Sequence, residues 1–114
     1  MALQRARLVQ DHRAPDRPAI RVAAGDPVTL GDRDTDWPEF VWTSLASGHG
    51  GWVPSPFFDG ESGDAKVLQD YDTTELDANA GEEVLLHHEL AGWWWVEDRD
   101  GTTGWVPARK LDLP

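Results

Sequence analysis

The amino-acid sequence predicts an all-β protein in which one small fold occurs twice. The first observation is a repeat, because Gly51-Trp52-Val53-Pro54 returns as Gly104-Trp105-Val106-Pro107, 53 positions later. The second is that short runs of β-branched and aromatic residues are bounded by Gly, Pro and Asp, while no stretch keeps a helical period. A repeat of this kind determines the architecture, so we expect two units of the same fold.

The repeat covers most of the chain, with two interruptions. Its offset falls from 59 to 56 and then to 53, so the first copy carries two insertions, between Asp11 and Gly25 and between Leu30 and Phe40. Insertions are tolerated in surface loops, and we expect loops at both places. The matched segments are 6–11 with 65–70, 24–28 with 80–84, and 40–54 with 93–107.

Four runs predict strands, and two glycine-bearing turns predict hairpins. Gly48 and Gly101 supply the positive φ of tight turns, and each is followed by another aromatic strand. Between the copies, 59–64 is polar and predicts a short linker, which gives domains at 4–58 and 65–113. The predicted strands are Val28–Leu30, Phe40–Thr43, Val84–Leu86 and Trp93–Val96.

Composition limits the class of protein. The chain has 114 residues, of which 39% are hydrophobic and 27% charged, a globular balance. It has no cysteine, which excludes disulfides and thiolate metal sites. No export signal and no long apolar run is present, so we expect a soluble, cytoplasmic protein.

Charge is shared unequally along the sequence. Residues 1–58 hold six Arg and seven Asp or Glu, a net charge of −1, whereas 59–114 hold four Lys or Arg and fourteen Asp or Glu, a net charge of −10. This field disfavours nucleic acid and anionic membranes and favours a basic partner, although solubility alone also explains an acidic surface.

The second half resembles an SH3 domain over almost its whole length. The features follow the order of that family: an ALYDY-like strand, an acidic loop, a Gly-Glu turn, a paired-Trp strand, a hairpin glycine and a Gly-aromatic-Val-Pro motif. They are Val67-Leu68-Gln69-Asp70-Tyr71, Glu75-Leu76-Asp77, Gly81-Glu82-Glu83-Val84, Gly92-Trp93-Trp94, Gly101 and Gly104-Trp105-Val106-Pro107. The first half resembles a more divergent copy, with His12 in place of Tyr71.

This resemblance implies two tandem SH3-like domains, each a five-stranded, partly open β-barrel. It places Trp52 and Trp105 partly exposed and Pro54 and Pro107 at the edge of a ligand groove. Thr43 is a poor core residue unless its hydroxyl finds a partner. The expected core is Val67, Val84, Leu86, Trp94, Val96, Val106 and Leu111 in the second copy, and Leu8, Val28, Leu30, Val41, Thr43, Val53 and Phe58 in the first.

The resemblance also implies a binding mode for the second copy. Many SH3 domains hold proline-rich segments between surface aromatics, while an acidic loop pairs with a ligand Arg or Lys. Gln69 and Lys110 depart from the pattern, because the family places tyrosines there. The residues expected to bind peptide are Tyr71, Trp93, Trp95 and Pro107, with Asp70, Asp72, Glu75 and Asp77 in the acidic loop.

The first copy has its own departures from the pattern. Gln10 and His12 take the tyrosine positions. Phe40 aligns with Trp93, but Trp37 lies close by in the inserted loop and is an alternative for the groove tryptophan. The peptide-binding residues expected in this copy are Trp37, Phe40, Trp42, Pro54 and Phe57.

Catalytic and metal-binding patterns are weak. His87 and His88 are adjacent and diverge in a strand, and no third ligand follows at a suitable spacing. His12 and His49 are isolated, and no nucleophile accompanies them at a suitable spacing. We therefore expect no catalytic residue, no metal and no cofactor.

Three functions remain open from the sequence. The first is a non-enzymatic module that binds an extended proline-containing or basic peptide of a partner protein. The second is a structural or assembly module, in which the aromatic surfaces of the two copies pack on each other or on a second chain. The third is recognition of cell-wall peptides, which the missing export signal disfavours.

Overall fold

The computed structural model describes residues 3–114 as eleven β-strands and two single-turn 3-10 helices, so the all-β prediction is confirmed. The 3-10 helices are Ser55–Phe57 and Ala108–Lys110. The strands are β1 (Arg5–Leu8), β2 (Arg21–Val22), β3 (Pro27–Arg33), β4 (Phe40–Ser44), β5 (Gly50–Pro54), β6 (Gly63–Lys66), β7 (Tyr71–Asp72), β8 (Glu83–Leu90), β9 (Trp93–Glu97), β10 (Thr103–Pro107) and β11 (Leu111–Asp112).

The chain folds into two compact units, and one of them is discontinuous in sequence. Unit 1 contains the residues up to Asp16 together with Thr74–Pro114, and unit 2 contains Arg17–Thr73. The chain therefore passes from one unit to the other twice, after Asp16 and after Thr73.

Unit 1 is built on a five-stranded antiparallel sheet with the order β10-β9-β8-β1-β11. Strand β1 comes from the first repeat and lies between two strands of the second. Ala6 pairs with Val84 on β8, and Leu8 pairs with Leu111 on β11. The second barrel is thus completed by the N-terminal strand of the chain.

Unit 2 has a four-stranded sheet with the order β5-β4-β3-β6 and a small two-stranded sheet of β2 and β7. Strand β6 belongs to the second repeat and pairs with β3 of the first, with Val28 opposite Ala65. In the small sheet, Val22 is opposite Tyr71. The first strand of each repeat therefore lies in the unit formed mainly by the other repeat. This arrangement is an exchange of first strands between the repeats.

The compact units differ from the predicted domains, 4–58 and 65–113, because those boundaries follow the repeat. The repeat gives similar residues to the first strands of both copies, so either first strand can pair with either sheet. The segment 59–64, predicted to be a linker, is partly strand, since Gly63 and Asp64 belong to β6 and pair with β3.

The predicted core is confirmed in both units, with one residue less buried than expected. Trp94 is only partly buried against the core of unit 1. Thr43 is fully buried, and its hydroxyl donates to the carbonyl oxygen of Val41 at 3.1 Å, which supplies the partner that a buried hydroxyl requires. The exchange redistributes two of the core positions, because Leu8 serves unit 1 and Val67 serves unit 2.

The predicted hairpins are confirmed, whereas both predicted loops contain some strand, since β2 lies in the first of them. Gly48 and Gly101 have backbone φ angles of 92° and 85°, a conformation that residues with a Cβ rarely adopt. The insertion after Leu30 begins as strand, because β3 continues to Arg33 with an irregular register.

Candidate functional site

The residues predicted to bind peptide are divided between the two units. Tyr71 and Trp93, which the sequence places in one groove, lie in unit 2 and unit 1 respectively. Unit 2 holds Trp37, Phe40, Trp42, Pro54, Phe57, Asp70, Tyr71 and Asp72, whereas unit 1 holds Glu75, Asp77, Trp93, Trp95 and Pro107.

Unit 2 contains three neighbouring aromatic residues, Phe40, Phe57 and Tyr71, which together with Pro54 form a set called the aromatic set. The rings of Phe57 and Tyr71 meet edge to face, with centroids 5.2 Å apart. Phe40 lies opposite Pro54 on the neighbouring strands β4 and β5, and the 3-10 helix that follows Pro54 carries Phe57. The exchange brings together the tyrosine of the second repeat and the phenylalanine of the first.

The members of this set differ in exposure. Tyr71 and Phe40 are 9% and 6% exposed, whereas Phe57 is half-buried. Trp37, the alternative groove tryptophan, is also half-buried. Its backbone N–H donates to the carboxylate of Asp34 at 3.3 Å, which helps to hold the inserted loop. Phe57 and Trp37 are therefore the aromatic side chains of this region that solvent can reach.

The equivalent position in unit 1 is polar instead of aromatic. His12 is 6% exposed, and its Nε2 lies 2.9 Å from the Glu75 carboxylate. Its Nδ1 lies 3.1 Å from the ammonium of Lys110, and its ring meets the Trp93 indole edge to face at 5.7 Å. Trp93 is half-buried and lies opposite Pro107 on β10.

The acidic loop of the second repeat is engaged with the chain itself. In unit 2, Asp70 accepts from the N–H of Ala24 at 2.9 Å, and Asp72 forms an ion pair with Arg21 at 3.0 Å. These carboxylates therefore hold segments of the first repeat in place.

Unit 1 uses its two loop carboxylates in the same way. Glu75 bonds to His12, and Asp77 accepts from the backbone N–H of Ala14 at 2.7 Å. In contrast, the carboxylates of the inserted loop in unit 2 include three on exposed residues, Asp32, Asp36 and Glu39.

A second aromatic cluster in each unit surrounds the tryptophan of the repeated motif. In unit 1, Trp95 meets Trp105 edge to face at 5.2 Å and stacks on His88. In unit 2, Trp42 meets Trp52 edge to face at 5.1 Å. Both Trp95 and Trp42 are half-buried.

The predicted exposure of the motif tryptophans is correct for Trp52 and wrong for Trp105. Trp105 is 5% exposed. Its backbone N–H donates to Thr74 O at 2.9 Å, which draws the acidic loop over β10. The turn prolines Pro54 and Pro107 are also buried, because the strands β4 and β9 lie against them.

The exchange removes the charge asymmetry of the sequence. Unit 1 contains six Lys or Arg and eleven Asp or Glu, a net charge of −5, while unit 2 contains four and ten, a net charge of −6. Both units are thus acidic, and net charge no longer distinguishes one of them from the other.

The adjacent histidines take separate roles. His87 Nε2 lies 3.0 Å from the carboxylate of Glu97, while His88 stacks on Trp95. Within residues 3–114, no group of three His, Asp or Glu side chains is arranged to hold a metal ion. In the same part of the chain, no helix has the length and hydropathy needed to cross a bilayer.

Sequence reasoning missed the partnership of His12 with Glu75 and Lys110. Alignment of the repeats provides a signal for it, since His12 matches Tyr71 and Lys110 matches Phe57. The polar pair meets in one unit and the aromatic pair in the other, but only the exchanged strands show which residues are partners.

Comparison with known families agrees with the repeat. The variant SH3 domain family model matches residues 5–57, and the SH3 domain family model matches residues 66–108. No curated protein matches the chain at a significant level. The chain therefore belongs to the SH3 domain family, of which it carries two copies in tandem.

Proposed function

We propose that this chain is a non-enzymatic module that binds an extended, proline-containing segment with a basic residue, and that unit 2 holds this segment. SH3 domains are generally protein-interaction modules. A polyproline segment is already extended, so it loses little conformational entropy when it docks. The ligand would be supplied by a partner protein, with no nucleic acid, membrane or cofactor involved.

The observation that carries the proposal is the contact between Tyr71 and Phe57. Neither repeat alone has aromatic residues at both of these positions, since the first has His12 and the second has Lys110. Unit 2 combines the two aromatics beside Pro54, whereas unit 1 combines the two polar residues. Proline rings pack well on aromatic faces, and this favours unit 2 as the proline site.

The inserted loop of unit 2 supplies the complementary charge. Asp32, Asp36 and Glu39 are exposed, and Glu39 precedes Phe40 of the aromatic set. Half-buried Trp37 lies in the same loop and has an indole ring on which a guanidinium can stack. A ligand arginine placed beside the prolines would therefore meet both negative charge and an aromatic surface.

The first test is the affinity of the full chain for a synthetic proline-rich peptide that contains one arginine. We expect Phe57→Ala to weaken binding about tenfold or more, because it removes a solvent-accessible wall of the site. Lys110→Ala, at the matched position of unit 1, should leave the affinity within about threefold of wild type. Isothermal titration calorimetry provides the affinities, and circular dichroism verifies that each variant is folded.

Two further variants make the test decisive. Trp93→Ala removes the groove tryptophan of unit 1, and loss of binding in this variant but not in Phe57→Ala would overturn the assignment to unit 2. Unchanged affinity in both variants would overturn peptide binding by these grooves altogether.

The charged part of the site has a separate test. Asp36→Asn combined with Glu39→Gln should weaken binding of the arginine peptide, and a matched peptide with alanine in place of arginine should not respond. Binding of the arginine peptide should also weaken as salt rises from about 0.05 to 0.5 M, since screening shortens the range of the attraction. Salt-independent binding would contradict the role of the inserted loop.

A structural or assembly role is the second candidate. The observation that favours it is that Glu75, Asp77 and Asp72 are already bonded to His12, Ala14 and Arg21 of the same chain. In this function the acidic loop stabilises the protein itself. Failure of every proline-rich peptide to bind, with the fold intact, would support this role.

A further inference from the structure

We propose that the side chains at positions 12 and 71 select the exchanged arrangement over a sequential one, in which each repeat would keep its own first strand. The exchanged segments are residues 3–16, which lie in unit 1, and residues 59–73, which lie in unit 2. This inference does not depend on the proposed ligand. The selecting contacts are His12 with Glu75 and Lys110, and Tyr71 with Phe57.

Backbone hydrogen bonds do not distinguish the two arrangements. The carbonyl of Leu8 accepts from the N–H of Gly81 at 2.8 Å, and the carbonyl of Val67 accepts from Gly25 at 2.7 Å. Either segment would make the same bonds in either unit, so these bonds do not select between the arrangements. The next residues behave alike, with Val9 N–H donating to Lys110 O at 2.8 Å and Leu68 N–H donating to Phe57 O at 2.7 Å.

His12 is matched to unit 1 by two polar partners. An ammonium group can only donate, so Lys110 donates to Nδ1 and the imidazole carries its hydrogen on Nε2. That hydrogen is donated to the carboxylate of Glu75, at an Nε2 to Oε1 distance of 2.9 Å. Both ring nitrogens of a side chain that is only 6% exposed are therefore satisfied.

Unit 2 could not satisfy a histidine in the same way. Val22 pairs with Tyr71 in unit 2 as Ala78 pairs with His12 in unit 1, so Ala19 stands in unit 2 where Glu75 stands in unit 1. Phe57 stands where Lys110 stands. A histidine in this position of unit 2 would lose both polar partners, and a buried polar group without partners is costly.

Tyr71 is matched to unit 2 by its contact with Phe57. The two rings meet at 74° with centroids 5.2 Å apart, a favourable edge-to-face geometry. In the sequential arrangement Tyr71 would instead meet Lys110, and the carboxylate of Glu75 would lose the histidine that it binds. Both mismatches arise together, so the sequential arrangement is disfavoured in both units.

Exposed ion pairs point in the same direction but contribute less. Arg5 and Arg7 lie 3.1 Å and 3.6 Å from the carboxylate of Glu83. In the sequential arrangement Asp64 would take the place of Arg5 and repel Glu83. These side chains are solvated, and exposed pairs are weak, so the buried contacts of His12 and Tyr71 decide the arrangement.

The absence of cysteine allows disulfides to report the arrangement directly. Arg7 and Glu83 are opposite each other on β1 and β8, at a separation that a disulfide can bridge. Lys66 occupies the position of Arg7 in the other unit, where it lies opposite Pro27. The pair R7C/E83C therefore crosslinks in the exchanged arrangement, and K66C/E83C crosslinks within one chain only in the sequential arrangement.

The test is to interchange the two selecting residues in the full chain. In the wild-type background, oxidation at low protein concentration should crosslink R7C/E83C at least about tenfold more than K66C/E83C. In the H12Y/Y71H background the preference should reverse, because the sequential arrangement now joins histidine to Glu75 and Lys110 and tyrosine to Phe57. Mass spectrometry of the oxidised monomer measures both yields.

The partners on the opposite side of each contact provide a rescue. A19E/F57K/E75A/K110F interchanges both polar partners of His12 between the units and should also reverse the preference. Its combination with H12Y/Y71H should restore crosslinking of R7C/E83C. Even if H12Y/Y71H does not fold, the partner interchange and the combined variant still test the proposal. Crosslinking that stays with R7C/E83C in both H12Y/Y71H and A19E/F57K/E75A/K110F would overturn it, as would crosslinking of K66C/E83C in the wild-type background.

Discussion

Replacement of Leu8 by alanine is expected to destabilise unit 1 by about 2–5 kcal/mol, the range for deleting a buried leucine side chain. Leu8 is 2% exposed and belongs to a core cluster with Val84, Val96 and Leu111. The loss should therefore appear in the strands of the second repeat, although Leu8 is in the first. Hydrogen exchange measured by mass spectrometry should show reduced protection in β8, β9 and β10.

Val67→Ala is the matched control for this effect. Val67 is also 2% exposed, but it lies in unit 2, where it forms an isolated bridge with Phe58. Its truncation should cost about 2 kcal/mol and should reduce protection in β3, β4 and β5. The substitution in the first repeat, Leu8→Ala, thus affects strands of the second repeat, and the substitution in the second repeat, Val67→Ala, affects strands of the first. Loss of protection in β3 to β5 on Leu8→Ala would contradict the exchanged fold.

Gly104→Ala is expected to cost about 3 kcal/mol, at the upper end of the range for overpacking. A Cβ at this position would lie 2.6 Å from the backbone N of Leu76 and 2.8 Å from the carbonyl carbon of Glu75. Backbone cannot rotate away as a side chain can. The segment would have to move, which would stretch the bond from Leu76 N–H to Trp105 O, now 3.2 Å.

Gly51→Ala provides the comparison, because Gly51 is the equivalent glycine in unit 2. Its Cβ would first meet the side chains of Ile20 and Thr73, both at 3.2 Å, and these can shift by a few tenths of an ångström. The reduced entropy of the unfolded chain offsets part of the cost, so we expect a change of at most about 1 kcal/mol. Urea unfolding followed by circular dichroism measures both variants. An equal loss in the two would contradict the difference between backbone and side-chain contacts.

Local sequence patterns were sufficient to predict the strands β3, β4, β8 and β9 and the two hairpin turns. A strand requires apolar residues at alternate positions and a tight turn requires glycine, and both requirements are met by neighbours in the chain. This is why the hairpins at Gly48 and Gly101 and the buried positions of Val53 and Val106 were predicted correctly.

The residues that lie together in each candidate peptide site were not predictable in the same way. Tyr71 and Trp93 follow the family pattern within one repeat, and yet they lie in different units because β6 and β7 pair with strands of the first repeat. The burial of Trp105 has a similar origin, since it depends on the segment at Thr74 that bonds across β10. Contacts of this kind join residues that are far apart in sequence, and no local pattern records them.

The sequence by itself determined that the protein is all-β, that it contains two copies of an SH3 domain, and most of the side chains that form the core. Only the tertiary structure decided which first strand completes which barrel. The physical reason is that the repeat makes both strands acceptable to both sheets by backbone bonding alone. The choice then depends on a few buried side chains, His12 with Glu75 and Lys110 and Tyr71 with Phe57, whose partners become evident only when the strands are in place.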